Sequence, residues 1–190
     1  AALSYGGKLN WQNAYLGTNI PGAYPVKDLL DELVTNKIVG VANGRAEFGP
    51  RALGNRSLLA DPRGRDIKDR VNEIKQRQKF RPFSPVILAE YARDYFEMSW
   101  EDSPYMQYTS RCKYPDEFPA IVHADGTSRV QTVTYDQHPG LYTLLRKWYR
   151  ETGCPMLLNT SLNIKGMPMV NDINDAYAFV DEVYGVGSPP

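Results

Sequence analysis

The residues with the most chemical promise lie at positions 44–57, reading Gly-Arg-Ala-Glu-Phe-Gly-Pro-Arg-Ala-Leu-Gly-Asn-Arg-Ser. Three glycines and a proline predict a loop, and into it are set Arg45, Arg51, Arg56 and Glu47. A guanidinium is a planar fork of donors that pairs with phosphate or carboxylate through two hydrogen bonds. Glycine lets the backbone approach a ligand closely and offer it N–H groups. One such arginine would read as a solvated surface residue. Three among glycines, directly after a strand-like apolar run, predict an anion site. Five further segments place polar or basic groups beside apolar runs or at strand–helix junctions: residues 75–81, Ser84, 123–129, 159–161 and 163–165. If they converge, they form a pocket of several cations and several neutral hydrogen-bond donors. Such a pocket suits a phosphate or polyphosphate and the charge that develops in phosphoryl or nucleotidyl transfer. Alone, Lys75 reads as a solvated helix lysine and Arg129 is ambiguous; it is the set that carries the reading.

Other chemistries find no footing. His123 and His138 stand apart, with no cysteine or histidine at metal-ligand spacing, so no metal site is expected from this chain. There is no Gly-Lys-Ser/Thr phosphate loop, no Gly-x-Gly-x-x-Gly after a strand, and no Gly-x-Ser-x-Gly nucleophile elbow. The 190 residues are 42% hydrophobic and 12% aromatic, enough for a real core. Net charge is zero, yet residues 41–81 sum to +6 and the remainder to −6. A basic region on a neutral chain points to a small anionic ligand; a long nucleic acid, which favours a basic surface overall, is not expected. Two cysteines fit a reducing cytoplasm. No apolar run approaches the length of a membrane span, so no membrane partner is expected. The first residue is Ala1, which suggests a piece of a longer protein.

Periodicity supplies the elements that must position these groups. Residues 1–25 read as irregular, a connector or a strand that pairs elsewhere. Helical spacing predicts helices over 26–36, 66–79, 139–151 and 172–184, with Ile67, Val71, Ile74 and Gln78 on one face of the second and Ala176, Phe179 and Val180 inward on the last. Short apolar runs predict strands at 38–42, 58–60, 86–89 and 155–158, and a β-rich strand at 129–135. Residues 90–120 give no clear pattern beyond a helical turn near 91–96. Alternating strands and helices predict an α/β or α+β domain with a twisted mixed sheet.

Four motifs, in order, resemble those of the NodU/CmcH-type O-carbamoyltransferases. They are Glu47-Phe48-Gly49-Pro50-Arg51-Ala52-Leu53-Gly54-Asn55-Arg56-Ser57 followed by Asp61-Pro62-Arg63; Lys75 ahead of Arg81-Pro82-Phe83; His123-Ala124-Asp125-Gly126-Thr127-Ser128-Arg129-Val130-Gln131; and Leu158-Asn159-Thr160-Ser161-Leu162-Asn163. The resemblance runs from about residue 14 to the C-terminus, with Leu162 and Ala46 as its departures. It implies a YrdC/Sua5-like domain at 26–190: a twisted mixed sheet flanked by helices around an interior cavity. Residues 1–25 would be the connector from a Kae1-like N-terminal domain, which binds a metal and a hydroxyl acceptor and has no counterpart here. It also implies that carbamoyl phosphate and ATP, with Mg, yield carbamoyl adenylate for transfer to that acceptor. The site it implies is Arg51, Lys75, Arg81, Arg129, Asn159 and Ser161, with Lys75, Arg81 and Arg129 catalytic. The alternative is a non-catalytic phosphate- or RNA-binding module of the same fold.

Overall fold

Residues 13–184 are described by a computed structural model. Leu29 and Leu33, one helical turn apart, bury the inner side of α1 (Val26–Asn36), and the left-handed Lys37 ends the helix by bonding back to the Leu33 carbonyl. The chain turns directly into β2 (Ile38–Ala42), the edge of a five-stranded sheet. Next to it run β4 (Arg56–Ala60), then β10 (Met156–Ser161), β5 (Ser84–Leu88) and β9 (Gln131–Val133). All pairings are antiparallel except β5 with β9.

Alternation along the strands divides the core in two. Leu59, Val86, Leu88 and Leu157 face α1 and α4 (Pro139–Thr152), where Leu141, Leu144, Leu145 and Trp148 meet them. Ala60, Ile87, Met156 and Leu158 face the other way, onto α2 (Ile67–Ile74) and the segment from Ala92 to Val130. That segment contains α3 (Ala92–Tyr95) and a small sheet of β6 (Phe96–Glu97), β7 (Thr109–Cys112) and β8 (Thr127–Arg129). A two-residue pair, β1 (Asn19–Ile20) with β3 (Gly44–Arg45), and α5 (Ile173–Tyr184) complete the order. Of the expected connector, residues 1–12 lie outside the described residues. The rest is described: residues 14–18 hydrogen-bond to Ala46 and Phe48 of the arginine loop.

Three expectations are corrected. The helix expected over 66–79 stops at Ile74, with Gln76 left-handed at φ 50° and Gln78 exposed. Buried Asn72 is the reason. Its amide donates to the carbonyls of Lys79 and Arg81 and accepts from Arg77 Nε at 2.7 Å, holding the chain that follows out of the helix. The strand expected over 129–135 is two strands in two sheets: β8 pairs with β7, and β9 with β5. Val130, fully buried in the core between them, marks the crossing. On α5, Ala176 and Phe179 pack inward but Val180 is exposed.

Candidate active site

The arginine loop is held by its one acid. Glu47 is buried, and its Oε1 accepts from the backbone N–H groups of Leu53 at 2.7 Å, Asn55 at 2.9 Å and Arg56 at 3.4 Å. One carboxylate oxygen thus gathers three donors of a segment with few backbone partners of its own. Arg56 does the converse. Its guanidinium is fully buried and donates to the carbonyls of Thr18, Asn43, Gly44, Asn55 and Asn171. Arg45 lies on the surface, 3.4 Å from the Leu16 carbonyl. So the reading of three arginines as one anion site is corrected: Arg56 braces the loop, Arg45 lies on the surface, and of the three only Arg51 reaches the cavity. Sequence alone cannot distinguish them, because which way each side chain leaves the loop depends on the strands beside it.

That cavity measures about 300 Å³ and lies where β10 and β5 meet the loop and the end of β8. Five of the six expected residues line it: Arg51, Arg81, Arg129, Asn159 and Ser161. Residues distant in sequence converge because β10 is central and Asn159 is in register with both Leu59 of β4 and Ser84 of β5. Arg77, Ser84, His123 and Thr160 join them. Arg77 was not singled out from the sequence, although it stands between Lys75 and Arg81; only the early end of α2 turns it inward. Its guanidinium sits 4.4 Å over the Phe83 ring.

Among the described residues no carboxylate pairs with Arg51, Arg77, Arg81 or Arg129. None of the lining side chains is acidic. Burial and neighbouring Arg129 lower the Arg51 pKa, and burial with Arg81 pulls Arg77 down to about 10, still charged at neutral pH. Burial lowers His123 against the opposing pull of Asp125.

Lys75, the sixth expected residue, is not in the lining. It is buried just past α2, and its Nζ donates to the Ser161 carbonyl at 2.5 Å, Ser161 Oγ at 3.2 Å, and the Asn163 carbonyl and Oδ1 at 2.9 and 2.8 Å. The sequence picture of a lysine presenting its charge in the cavity is therefore corrected: the ammonium stands behind Ser161. Burial, and secondarily Arg77, pull its pKa down to about 7. The arrangement as a whole is a concave cluster of cations without counter-charge, suited to holding a polyanion.

The family follows from comparison with known proteins. The chain belongs to the carbamoyltransferase C-terminal family: residues 30–184 match the family model described as Carbamoyltransferase C-terminus. Among curated relatives, the nodulation protein NolO of Bradyrhizobium diazoefficiens is 40% identical over 151 residues, which cover 77% of this chain and 28% of that protein. The 3'-hydroxymethylcephem-O-carbamoyltransferase of Amycolatopsis lactamdurans is 40% identical over 154 residues, 81% of this chain and 29% of that one. Nodulation protein U of Rhizobium tropici is 41% identical, covering 74% and 25%. The chain thus spans under a third of the length of these relatives. Two HypF structures share the mixed α/β fold. That of T.kodakarensis HypF has a TM-score of 0.58 at 20% identity, over 84% of this chain and 20% of that one. Full-length HypF in the phosphate- and nucleotide-bound form has a TM-score of 0.60 at 16% identity, over 88% and 21%. The expected mixed sheet flanked by helices is the fold found. Among the described residues no helix is long and apolar enough to cross a membrane.

Proposed function

We propose that this chain makes carbamoyl adenylate from carbamoyl phosphate and ATP, as the adenylate-forming part of an O-carbamoyltransferase. The observation that carries the reading is the cavity: four guanidinium groups without counter-charge around about 300 Å³, beside a polar strand end. Carbamoyl phosphate first loses its phosphoryl group to water, giving carbamate and phosphate. A carbamate oxygen then attacks the α-phosphorus of ATP, a new P–O bond forms, and the bond to the β-phosphate breaks to release pyrophosphate. No side chain need act as nucleophile. Arg51, Arg81 and Arg129 hold the anions together and neutralise the departing pyrophosphate, with Arg77 beside them. Asn159 and Ser161 contact the carbamoyl group, and Lys75 supplies charge from behind Ser161. Among the described residues the lining offers a magnesium ion no carboxylate, so any such ion would have to come with the phosphates of ATP and would supply charge neutralisation there. A second cavity of about 410 Å³, lined by Asn13, Phe48, Leu53 and Tyr105, shares Pro50 and Arg51 with the first and offers apolar space for the adenosine.

On this reading, residues 26–190 are the adenylate-forming domain and 1–25 lead from a Kae1-like domain that carries the adenylate to a hydroxyl acceptor. The cytoplasm suits the two free, buried cysteines. A concave arginine cluster supports a small polyanion over the RNA-binding alternative, which calls for an extended basic surface.

The test is carbamoyl-phosphate-dependent exchange of labelled pyrophosphate into ATP. Arg129→Ala is expected to slow exchange by roughly 100- to 1000-fold with little loss of melting temperature. Arg129→Lys should be nearly as poor, since it keeps the charge but not the fork. Lys27→Ala, on an exposed ion pair, should change the rate less than about twofold. Normal exchange in Arg129→Ala would remove this site from the reaction.

A further inference from the structure

Two amides beside the cavity have orientations that the backbone dictates. Asn159 approaches the Ala52 carbonyl at 3.0 Å, and a carbonyl can only accept, so the Asn159 atom there is Nδ2. The other Nδ2 proton goes to Gln131 Oε1 at 2.7 Å. Gln131 is turned the same way: its Nε2 donates to the Leu53 carbonyl at 3.1 Å, leaving Oε1 for Asn159. Asn159 is 1% exposed, and its Oδ1 has no partner among the described residues. Just past the end of β10 the pattern repeats. Asn163 donates Nδ2 to the Met167 carbonyl, so its Oδ1 accepts the Ser161 hydroxyl proton at 2.6 Å. What Ser161 Oγ has left for a ligand is a lone pair.

We propose that Gln131 is a positioning residue that fixes Asn159 as an acceptor, so that the cavity selects a phosphorylated ligand carrying an –NH₂ group. This rests on the reading above and adds how the site would tell carbamoyl phosphate from acetyl phosphate, in which a methyl group of similar size replaces the amino group. An N–H donor completes the buried Oδ1. A methyl leaves it without a partner, an outcome that disfavours binding.

The experiment is calorimetric titration of the 190-residue chain with inorganic phosphate, acetyl phosphate and carbamoyl phosphate. The wild-type chain is expected to prefer carbamoyl over acetyl phosphate at least about tenfold. Gln131→Met, similar in length and without the amide, is expected to bring that preference below about threefold while inorganic phosphate, held by the arginines, binds within about twofold of wild type. Gln131→Glu places an oxygen against the Leu53 carbonyl and should lose the preference likewise, giving a second variant should Gln131→Met fold poorly. A merely structural role would weaken all three ligands together. A preference retained in either variant with phosphate binding intact, or no preference in the wild type, overturns the inference. Failure of the wild type to bind carbamoyl phosphate at all overturns the reading beneath it.

Discussion

Among the described residues nothing acidic balances the Lys75 ammonium: its four partners are two carbonyls, a hydroxyl and an amide oxygen. Its pKa falls from 10.5 to about 7 on folding. Between those values the unfolded chain holds more protons than the folded one, so stability rises with pH from about 7 towards 10. Below pH 7 the penalty of burying the charge is present in full. Urea titrations at pH 6.5 and 9 should therefore show a gain in midpoint for the wild type that Lys75→Met lacks. Equal gains in the two proteins would show that Lys75 does not titrate there. Sequence made Lys75 visible through its spacing to Arg81-Pro82-Phe83, but not its burial, because helical periodicity carried on past Ile74. Asn72, whose amide ends that helix, looks in sequence like any polar helix residue.

At the level of elements, the arginine loop is clamped onto the start of α4. Gly54 has φ +123°, and a Cβ there would come 2.7 Å from Leu141 Cδ2 and 3.1 Å from His138 Nε2. His138 caps the helix: its Nδ1 accepts from the Leu141 N–H at 3.1 Å, so Nε2 carries the proton and donates to Asn55 Oδ1 at 2.9 Å. Tyr15 and Tyr24 pack edge-on against the ring. Burial lowers its pKa from 6.5 to about 4. The unfolded chain takes up this proton first as pH falls, so stability declines between about pH 6.5 and 4. His138→Asn, which keeps a capping side chain, should flatten that part of the thermal-melting profile against pH; an unchanged slope would place the acid sensitivity elsewhere. Elements with their own strong periodicity were legible: α1, β2 and α4 fall within a residue of their expected bounds. The run 129–135 misled because two short strands joined through a buried valine have the same β-rich composition as one longer strand. Which sheet each half joins is decided by pairing with residues far away in sequence.

For the whole molecule, segments more than 100 residues apart meet around one cavity, where β5 and β10 of the large sheet, the end of β8 of the small sheet and the arginine loop come together, while Lys75 stands outside the lining. The bracing roles of Glu47 and Arg56 were not legible, since charge type says nothing about which way a side chain leaves a loop. The chain's share of its relatives, 28% of NolO and 29% of the cephem carbamoyltransferase, leads to a further expectation. With carbamoyl phosphate, ATP and a panel of alcohols, the 190-residue chain should release pyrophosphate yet leave no carbamate ester on any alcohol by mass spectrometry. An alcohol carbamate formed by this chain alone would overturn the proposed division of the reaction.

The central place of β10 also has a consequence for how the protein is made. β10 pairs with β4 on one side and β5 on the other, yet it is the last of the five strands to leave the ribosome. Until residues 156–161 emerge, the nascent chain can form only two separate ladders, β2 with β4 and β5 with β9, each with an edge that waits for the same missing strand. Folding of this sheet is therefore gated by the emergence of β10 rather than proceeding steadily from the N-terminus. An interrupted translation product ending before Pro155 would present two sticky half-sheets in place of one continuous sheet, a natural substrate for chaperones.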